Sequence, residues 1–221
     1  MAPDVFRDRT EAGQELGRRL FQACAGRDVV VLALPRGGVP VGFEVARAFD
    51  APLDVMVVRK LGIPGHAEYA MGAIASGGTC VLNDAVVREL GISSTAVEEV
   101  ARAEGIELER RERLYRDGRP PPDVRGRTAV LVDDGLATGS TMRVAVRALR
   151  ALQPARIVVA VPVASAEACE LLRSEADNVL CVRTPAPFRA VGLGYQDFSQ
   201  TSDEEVVALL KRSARQTGSS N

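Results

Sequence analysis

The stretch VLVDDGLATGSTM (Val130–Met142) places two adjacent carboxylates, Asp133 and Asp134, after three apolar residues and before a run of glycine, threonine and serine. Backbone N–H groups at a helix N-terminus, with the hydroxyls of Thr138, Ser140 and Thr141, can wrap a phosphate monoester. Gly135 and Gly139 stand four apart and no lysine follows. A P-loop needs G-x-x-x-x-G-K-[ST], so that class of nucleotide chemistry is excluded. Carboxylates beside a phosphate repel it, and the acid pair is therefore expected to meet another part of the ligand. Carboxylates accept hydrogen bonds and donate none, which suits vicinal hydroxyls. A phosphate together with a diol describes a ribose 5-phosphate group.

Three further segments carry chemistry-bearing residues, each after an apolar run. LPRGGVPVG (Leu34–Gly42) sets adjacent glycines beside an arginine, so its backbone amides can approach an anion closely. It is not G-x-G-x-x-G, and alone it reads equally as a turn into a helix. VVRKLGIPGHAEYAMG (from Val57) carries Arg59 and Lys60, by default an exposed basic pair, and His66, the only histidine. TPAPFRAVGLGYQDFSQ (Thr184–Gln200) gathers Phe188, Tyr195 and Phe198 in a chain that is 4% aromatic. Hydrophobic anchoring of a long loop is the plain alternative for that cluster.

Val130–Met142 resembles the thirteen-residue 5-phosphoribosyl 1-pyrophosphate (PRPP) motif of type I phosphoribosyltransferases, with two acids and ATGST in place. The resemblance implies that Asp133 and Asp134 hold the ribose hydroxyls and that Ala137, Thr138, Gly139, Ser140 and Thr141 hold the 5-phosphate. By the same resemblance Arg36, Gly37 and Gly38 form the pyrophosphate loop. Arg59 and Lys60 stand where orotate and adenine members carry Arg-Lys, before a loop (62–72) that partly covers the site. Phe188, Val191 and Tyr195 are the matching candidates for acceptor contacts. Arg36, Arg59 and Lys60 would offset charge on the leaving group. The implied activity is Mg²⁺-dependent transfer of the phosphoribosyl group to a nitrogen nucleophile, expected to be a nucleobase, with release of pyrophosphate. Mg²⁺ would ride on PRPP, with no direct protein ligand and at most water links to Asp133 and Asp134. Ala137 stands where 6-oxopurine members carry an aspartate, which argues against hypoxanthine and guanine. His66 is left between an ordinary loop residue and a contact to substrate or leaving group. No general base is evident. A PRPP-sensing regulator that kept the fold and lost turnover is the alternative. A receiver domain is disfavoured, because its acid pair normally follows the first strand.

These residues need a frame. VVVLAL (29–34), LDVMVV (53–58), TAVLV (128–132), IVVAVP (157–162) and NVLCV (178–182) are β-branched, nearly unbroken runs that suit strands covered on both faces. Helices are expected between them: one capped by Thr10 and ended by Gly26, one with Pro40 in its first turn, one opening at Ser140, one capped by Ser165, and one with Ser202 and Glu205 as a capping box. Such alternation calls for an α/β doubly wound, mainly parallel sheet flanked by helices. Two segments interrupt it. AMGAIASGGTCVLN (Ala70–Asn83) reads as a β-hairpin around Ser-Gly-Gly, and a charged helical insert (85–118) follows, with a long helix from Thr95 to about Tyr115. Its Glu/Arg run suits a solvated face, and the sequence leaves open whether the insert makes a homodimer contact or a lid. One domain spans 1–221, with a core over 29–198 and a disordered tail over 216–221.

The chain has 221 residues, 46% of them apolar, and a formal charge of −1 from 28 basic and 29 acidic residues. This is enough for a sizeable core, and the charge balance argues against nucleic acid as a partner. Cys24, Cys80, Cys169 and Cys181 are scattered without metal spacing and read as buried small hydrophobes rather than a disulfide framework. No apolar run approaches the roughly 20 residues of a membrane span. MAPDVFRDRT shows no signal-type apolar region, so a cytoplasmic location is expected.

Overall fold

A computed structural model of the chain describes residues 5–24 and 26–218. Strands β1 (Val29–Ala33), β2 (Leu53–Val55), β6 (Thr128–Val132), β7 (Arg156–Val163) and β8 (Asn178–Arg183) form one sheet in the order β2-β1-β6-β7-β8. Every pairing in it is parallel. The α/β doubly wound arrangement expected from the apolar runs is present. β1 and β6 are buried along their whole length, because helices cover both faces of the sheet.

The two faces follow the period of two along each strand. Val31, Val130 and Val158 point to one side, against Leu16 and Leu20 of α1 (Arg9–Cys24), Phe43 of α2 (Gly38–Phe49) and Leu210 of α7 (Asp203–Gly218). Leu32, Leu131 and Val159 point to the other, against Met142 and Leu149 of α5 (Ser140–Ala151) and Leu172 of α6 (Ala166–Arg173). Each such aliphatic side chain stabilises the fold by about 1.5–3 kcal/mol through burial.

Chain order reverses between β1 and β6. From β1 the chain crosses through α2 to β2 on one side, whereas β6, α5, β7, α6 and β8 build outward on the other. The ends of β1 and β6 therefore mark the switch point, the place where a doubly wound sheet offers a crevice beyond its strands' carboxyl ends. Both motif-bearing loops lie there.

A second, antiparallel sheet contains β3 (Val58–Ile63), β4 (His66–Ala75) and β5 (Thr79–Leu82). The hairpin around Ser-Gly-Gly is present, and Gly77 and Gly78 take φ of 85° and 78° in its turn. The single strand expected over 53–58 is instead divided. Met56 donates its N–H to the Ala33 carbonyl, but Val57 donates to the buried Ser76 hydroxyl, and this hands the chain to the second sheet. Arg59 and Lys60 consequently lie inside β3. The segment 62–72, expected as a loop, is strand, turn and strand.

The insert contains α3 (Asp84–Glu89) and α4 (Ser94–Arg116). Ser93 caps α4 rather than Thr95, and Asp8 rather than Thr10 caps α1, each through its side chain and a backbone N–H. α4 buries Val97, Leu108 and Tyr115, and the Tyr115 hydroxyl donates to Asp203 at 2.7 Å. Its outer face carries ladders such as Glu107 with Arg110 and Arg111. Ser165 caps α6 and Ser202 caps α7 as expected. α7 takes in 216–218, which were expected to be a disordered tail, while 219–221 lie outside the described residues. Cys24 and Cys169 are buried, but Cys80 is exposed, and Cys169 of α6 and Cys181 of β8 are joined as a disulfide.

Candidate functional site

The acid pair stands where β6 ends. Asp133 Oδ1 accepts the Asp134 N–H at 2.8 Å, which closes the turn out of the strand. Asp134 Oδ2 accepts from Arg9 Nε at 2.9 Å, and these two side chains are only 15% and 11% exposed. Among the described residues Oδ2 of Asp133 and Oδ1 of Asp134 have no protein donor, so the pair keeps acceptors for a ligand. Burial, then the neighbouring Asp134 charge, pushes the Asp133 carboxyl well above the usual carboxylate range. Burial also raises Asp134, with Arg9 opposing it. Two vicinal acids in a shielded turn resist ionising together, and Arg9 is the counter-charge within reach.

Past the acids, Leu136 bridges to the next strand: its N–H donates to the Val163 carbonyl and its own carbonyl accepts from Ser165. The Ser165 hydroxyl donates to the Ala137 carbonyl at 2.8 Å while accepting from Ala168, so one residue caps α6 and tethers the loop. Gly139 takes φ 73°, which lets the loop turn sharply into α5. Thr138 Oγ1 and Ser140 Oγ lie 2.9 Å apart, and Ala137, Thr138, Ser140 and Thr141 are exposed at the helix N-terminus. The Ser140 N–H also points to Thr138 Oγ1, at 3.4 Å, so the exposed hydroxyls gather at the helix N-terminus, an arrangement suited to an anion.

The loop after β1 runs against this turn. The Pro35–Arg36 peptide is cis. A Cβ on Gly37 would overlap the Asp134 carboxylate, and one on Gly38 would stand 2.8 Å from the Val132 carbonyl oxygen and 2.9 Å from Asp133 Cα. Glycine at both positions is thus a packing requirement of the paired loops. Arg36 is half-buried and lies near Tyr115 and Glu204, close enough to perturb both.

Arg59 and Lys60 are brought to the α5 N-terminus. A cavity of about 450 Å³ is lined by Arg59, Lys60, Gly72, Glu104, Ser140 and Thr141. Arg59 is held by Glu104 of α4 at 2.6 Å, whereas Lys60 is exposed and has no ion-pair partner among the described residues. His66 is exposed at the start of β4, outside this cavity.

The aromatic segment lies on the other side of the loop. Phe188 lines a cavity of about 790 Å³ with Ala137, Thr138, Leu171, Pro185 and Pro187. Val191 belongs to a single 3-10 turn (Val191–Gly194) and packs on Gly135, where a Cβ would collide with it. Tyr195 is buried against Phe6 and Phe198, and its hydroxyl donates to the Asp134 carbonyl at 2.5 Å. Burial raises that hydroxyl far above the ordinary tyrosine range. Arg9, Glu104 and the second role of Ser165 were missed in the sequence. Each acts across more than two dozen residues, and no local spacing announces such a contact.

Among the described residues no helix is long and apolar enough to cross a membrane. No group of three or more His, Cys, Asp or Glu side chains is placed there to hold a metal ion. Fold and loops together define a doubly wound α/β protein with a hydroxyl-lined loop and an acid pair at its switch point. The chain belongs to the phosphoribosyl transferase domain family, whose model matches residues 9–197. It is 50% identical over 211 residues to the Mycobacterium tuberculosis (H37Rv) protein named "Putative phosphoribosyl transferase Rv0571c", across 96% of this chain and 47% of that one. The chain therefore spans about half the length of the curated relatives it matches. TT1426 from Thermus thermophilus has a crystal structure similar at TM-score 0.83 and 44% identity, covering 94% of this chain and 98% of that one. The AQ2163 protein of Aquifex aeolicus shares the fold at TM-score 0.50 and 12% identity, over 80% and 73% of the two chains.

Proposed function

We propose that this protein transfers the 5-phosphoribosyl group of PRPP to a nitrogen nucleophile and releases pyrophosphate. The observation that carries this reading is the convergence, at one switch point, of a carboxylate pair with open acceptor oxygens and a hydroxyl-lined helix N-terminus. Asp133 and Asp134 hold the ribose diol, and Ala137 to Thr141 hold the 5-phosphate. Pyrophosphate lies toward Arg36, Gly37 and Gly38 on one side and toward Arg59 and Lys60 on the other. Positive charge develops on the ribose ring as the bond at C1 breaks, so catalysis consists of fixing diol and phosphate while cationic groups stabilise the departing pyrophosphate.

Magnesium fits this site as a passenger of the substrate. The acid pair offers hard oxygen donors but among the described residues no third carboxylate stands with it, and Mg²⁺ commonly combines one or two carboxylates, waters and substrate phosphates. When bound it would neutralise pyrophosphate charge, with Asp133 and Asp134 reached through water. The acceptor is a flat heterocycle, expected to be a nucleobase, in the cavity between Phe188, Pro185 and Ala137. Tyr195 does not line that cavity; it is buried against Phe6 and Phe198 with its hydroxyl on the Asp134 carbonyl. The setting is cytoplasmic and the partners are small molecules. A PRPP-sensing regulator is the second reading, favoured by the Arg59–Glu104 and Arg9–Asp134 pairs, which engage two site residues in the free protein.

Phosphorus NMR of the protein with Mg·PRPP and pooled purine and pyrimidine bases separates the two. A base-dependent pyrophosphate signal is expected, and PRPP binding without turnover in any pool favours the sensor. In an active enzyme Lys60→Ala should lower kcat more than ground-state PRPP affinity. Equal losses would move Lys60 into uniform binding instead.

A further inference from the structure

Arg9 contributes to the site from its far end. It is the first residue of α1, 125 residues from the acid it binds. Its Nε donates to Asp134 Oδ2 at 2.9 Å, and its NH1 donates to the Ser199 carbonyl at 2.7 Å. Its guanidinium carbon stands 4.0 Å from the centroid of the Phe198 ring. Phe198 in turn stacks on Tyr195, whose hydroxyl donates to the Asp134 carbonyl. The segment 195–199 is therefore tied to Asp134 twice, directly through Tyr195 and through Arg9 as a bridge. Only a guanidinium can do all three things, because it is planar, carries five donors and presents a flat face for stacking. A lysine ammonium could pair with Asp134 but could not also stack on Phe198 and reach Ser199.

We infer that Arg9 is a positioning residue that locks the Asp134 carboxylate to the 195–199 segment, so that the diol site and the acceptor side of the crevice respond as one unit. The inference rests on the assignment of Asp134 to the ribose diol. Its physical basis is that the segment continues the chain that supplies Phe188 and Val191, and the same guanidinium clamps both sides. Occupation of Asp134 by a diol then stiffens the acceptor wall before the acceptor arrives.

The experiment has a ligand-free arm and a ligand arm. In the first, urea unfolding of Arg9→Met, Asp134→Asn and the double variant forms a cycle. The double variant should be more stable than the sum of single losses allows, because Asp134→Asn relieves the charge that Arg9→Met strands. Additive losses would overturn the pairing itself. In the second arm, calorimetry and hydrogen exchange use Mg·PRPP alone. Arg9→Met should weaken Mg·PRPP by about tenfold or more, the scale of one charge-assisted hydrogen bond. Mg·PRPP should slow exchange of the 195–199 amides in the unmodified protein and not in Arg9→Met. Arg9→Lys, which keeps the charge and guards against a folding failure of the methionine variant, should recover most of the affinity but not the protection. Protection that survives in Arg9→Lys, or affinity that stays lost in it, overturns the lock. Mg·PRPP that binds the unmodified protein without protecting 195–199 refutes the coupling alone. Failure of Mg·PRPP to bind at all brings down the assignment of the site and the coupling with it, while the ligand-free cycle still decides the Arg9–Asp134 pair.

Discussion

Substituting Gly38 by alanine inserts one methyl group between the two loops that make the crevice. The new Cβ would lie 2.8 Å from the Val132 carbonyl oxygen and 2.9 Å from Asp133 Cα. Both are backbone atoms and cannot rotate aside. Ordinary carbon contact begins near 3.5 Å, so the loop after β1 must retreat from the acid pair by roughly 0.6 Å. Overpacking of this kind costs about 1–3 kcal/mol, and in a chain of this size each kcal/mol lowers Tm by about 2–4 °C. Misplacement by about 1 Å can cost ~10²-fold in rate, so turnover should fall by roughly tenfold or more. Gly105→Ala is the matched control. It lies inside α4, where a Cβ would meet only Ile74 Cδ1, at 3.7 Å. Alanine there should stabilise the protein by about 0.5–1 kcal/mol, since glycine is a poor helix former. Differential scanning calorimetry and titration with Mg·PRPP read both variants. Opposite signs in Tm are expected, with ligand affinity reduced only for Gly38→Ala. A Gly38→Ala protein with native Tm and native affinity would refute the close-packed account of the two loops.

Two other substitutions bear on the acid pair. Asp133→Asn keeps an oxygen for the Asp134 N–H but removes a charge that burial and Asp134 disfavour. A carboxyl raised in the folded state contributes stability that is complete below its unfolded value, near 3.8, and is lost as pH rises through the folded value. The asparagine variant without ligand should therefore gain over the unmodified protein as pH climbs from 4 to 7, by about 1.4 kcal/mol for each pH unit by which folding raises the carboxyl, while losing affinity for Mg·PRPP. Urea midpoints that differ by a constant amount across that range would show an unperturbed Asp133. Tyr195→Phe removes the donor to the Asp134 carbonyl and should cost about 1–2 kcal/mol of stability with little change in the acceptor KM. A large rise in that KM at unchanged stability would return Tyr195 to the acceptor site.

Much of the frame was legible because its causes are local. β1, β6 and β7 follow from β-branched runs, the caps at Ser165 and Ser202 follow from one side chain beside a helix start, and the hairpin turn follows from paired glycines. Errors arose where a distant group competed with local preference. LDVMVV reads as one strand, yet the Ser76 hydroxyl takes the Val57 amide and splits it between two sheets. At α4 the competition is instead local: Ser93 accepts the Ala96 N–H, which leaves Thr95 inside the helix. Cys169 and Cys181 lie on different elements, so their union is decided by how α6 packs on β8.

For the site, residue types and spacing alone reveal the acid pair, the hydroxyl-rich loop and the adjacent glycines, because each is a run of neighbouring residues. The sequence by itself also determines the alternation of the main parallel strands with helices, since periodicity is a property of neighbours, but not the division of 53–58 between two sheets. Only the tertiary structure decides how these parts meet: that Gly37 and Gly38 lie against Asp134 and Asp133, that Glu104 holds Arg59, and that Arg9 bridges Asp134 to Ser199. Those last two links join residues 45 to 190 positions apart. They form because a parallel sheet gathers its carboxyl ends at one edge, and no pattern along the chain encodes that proximity.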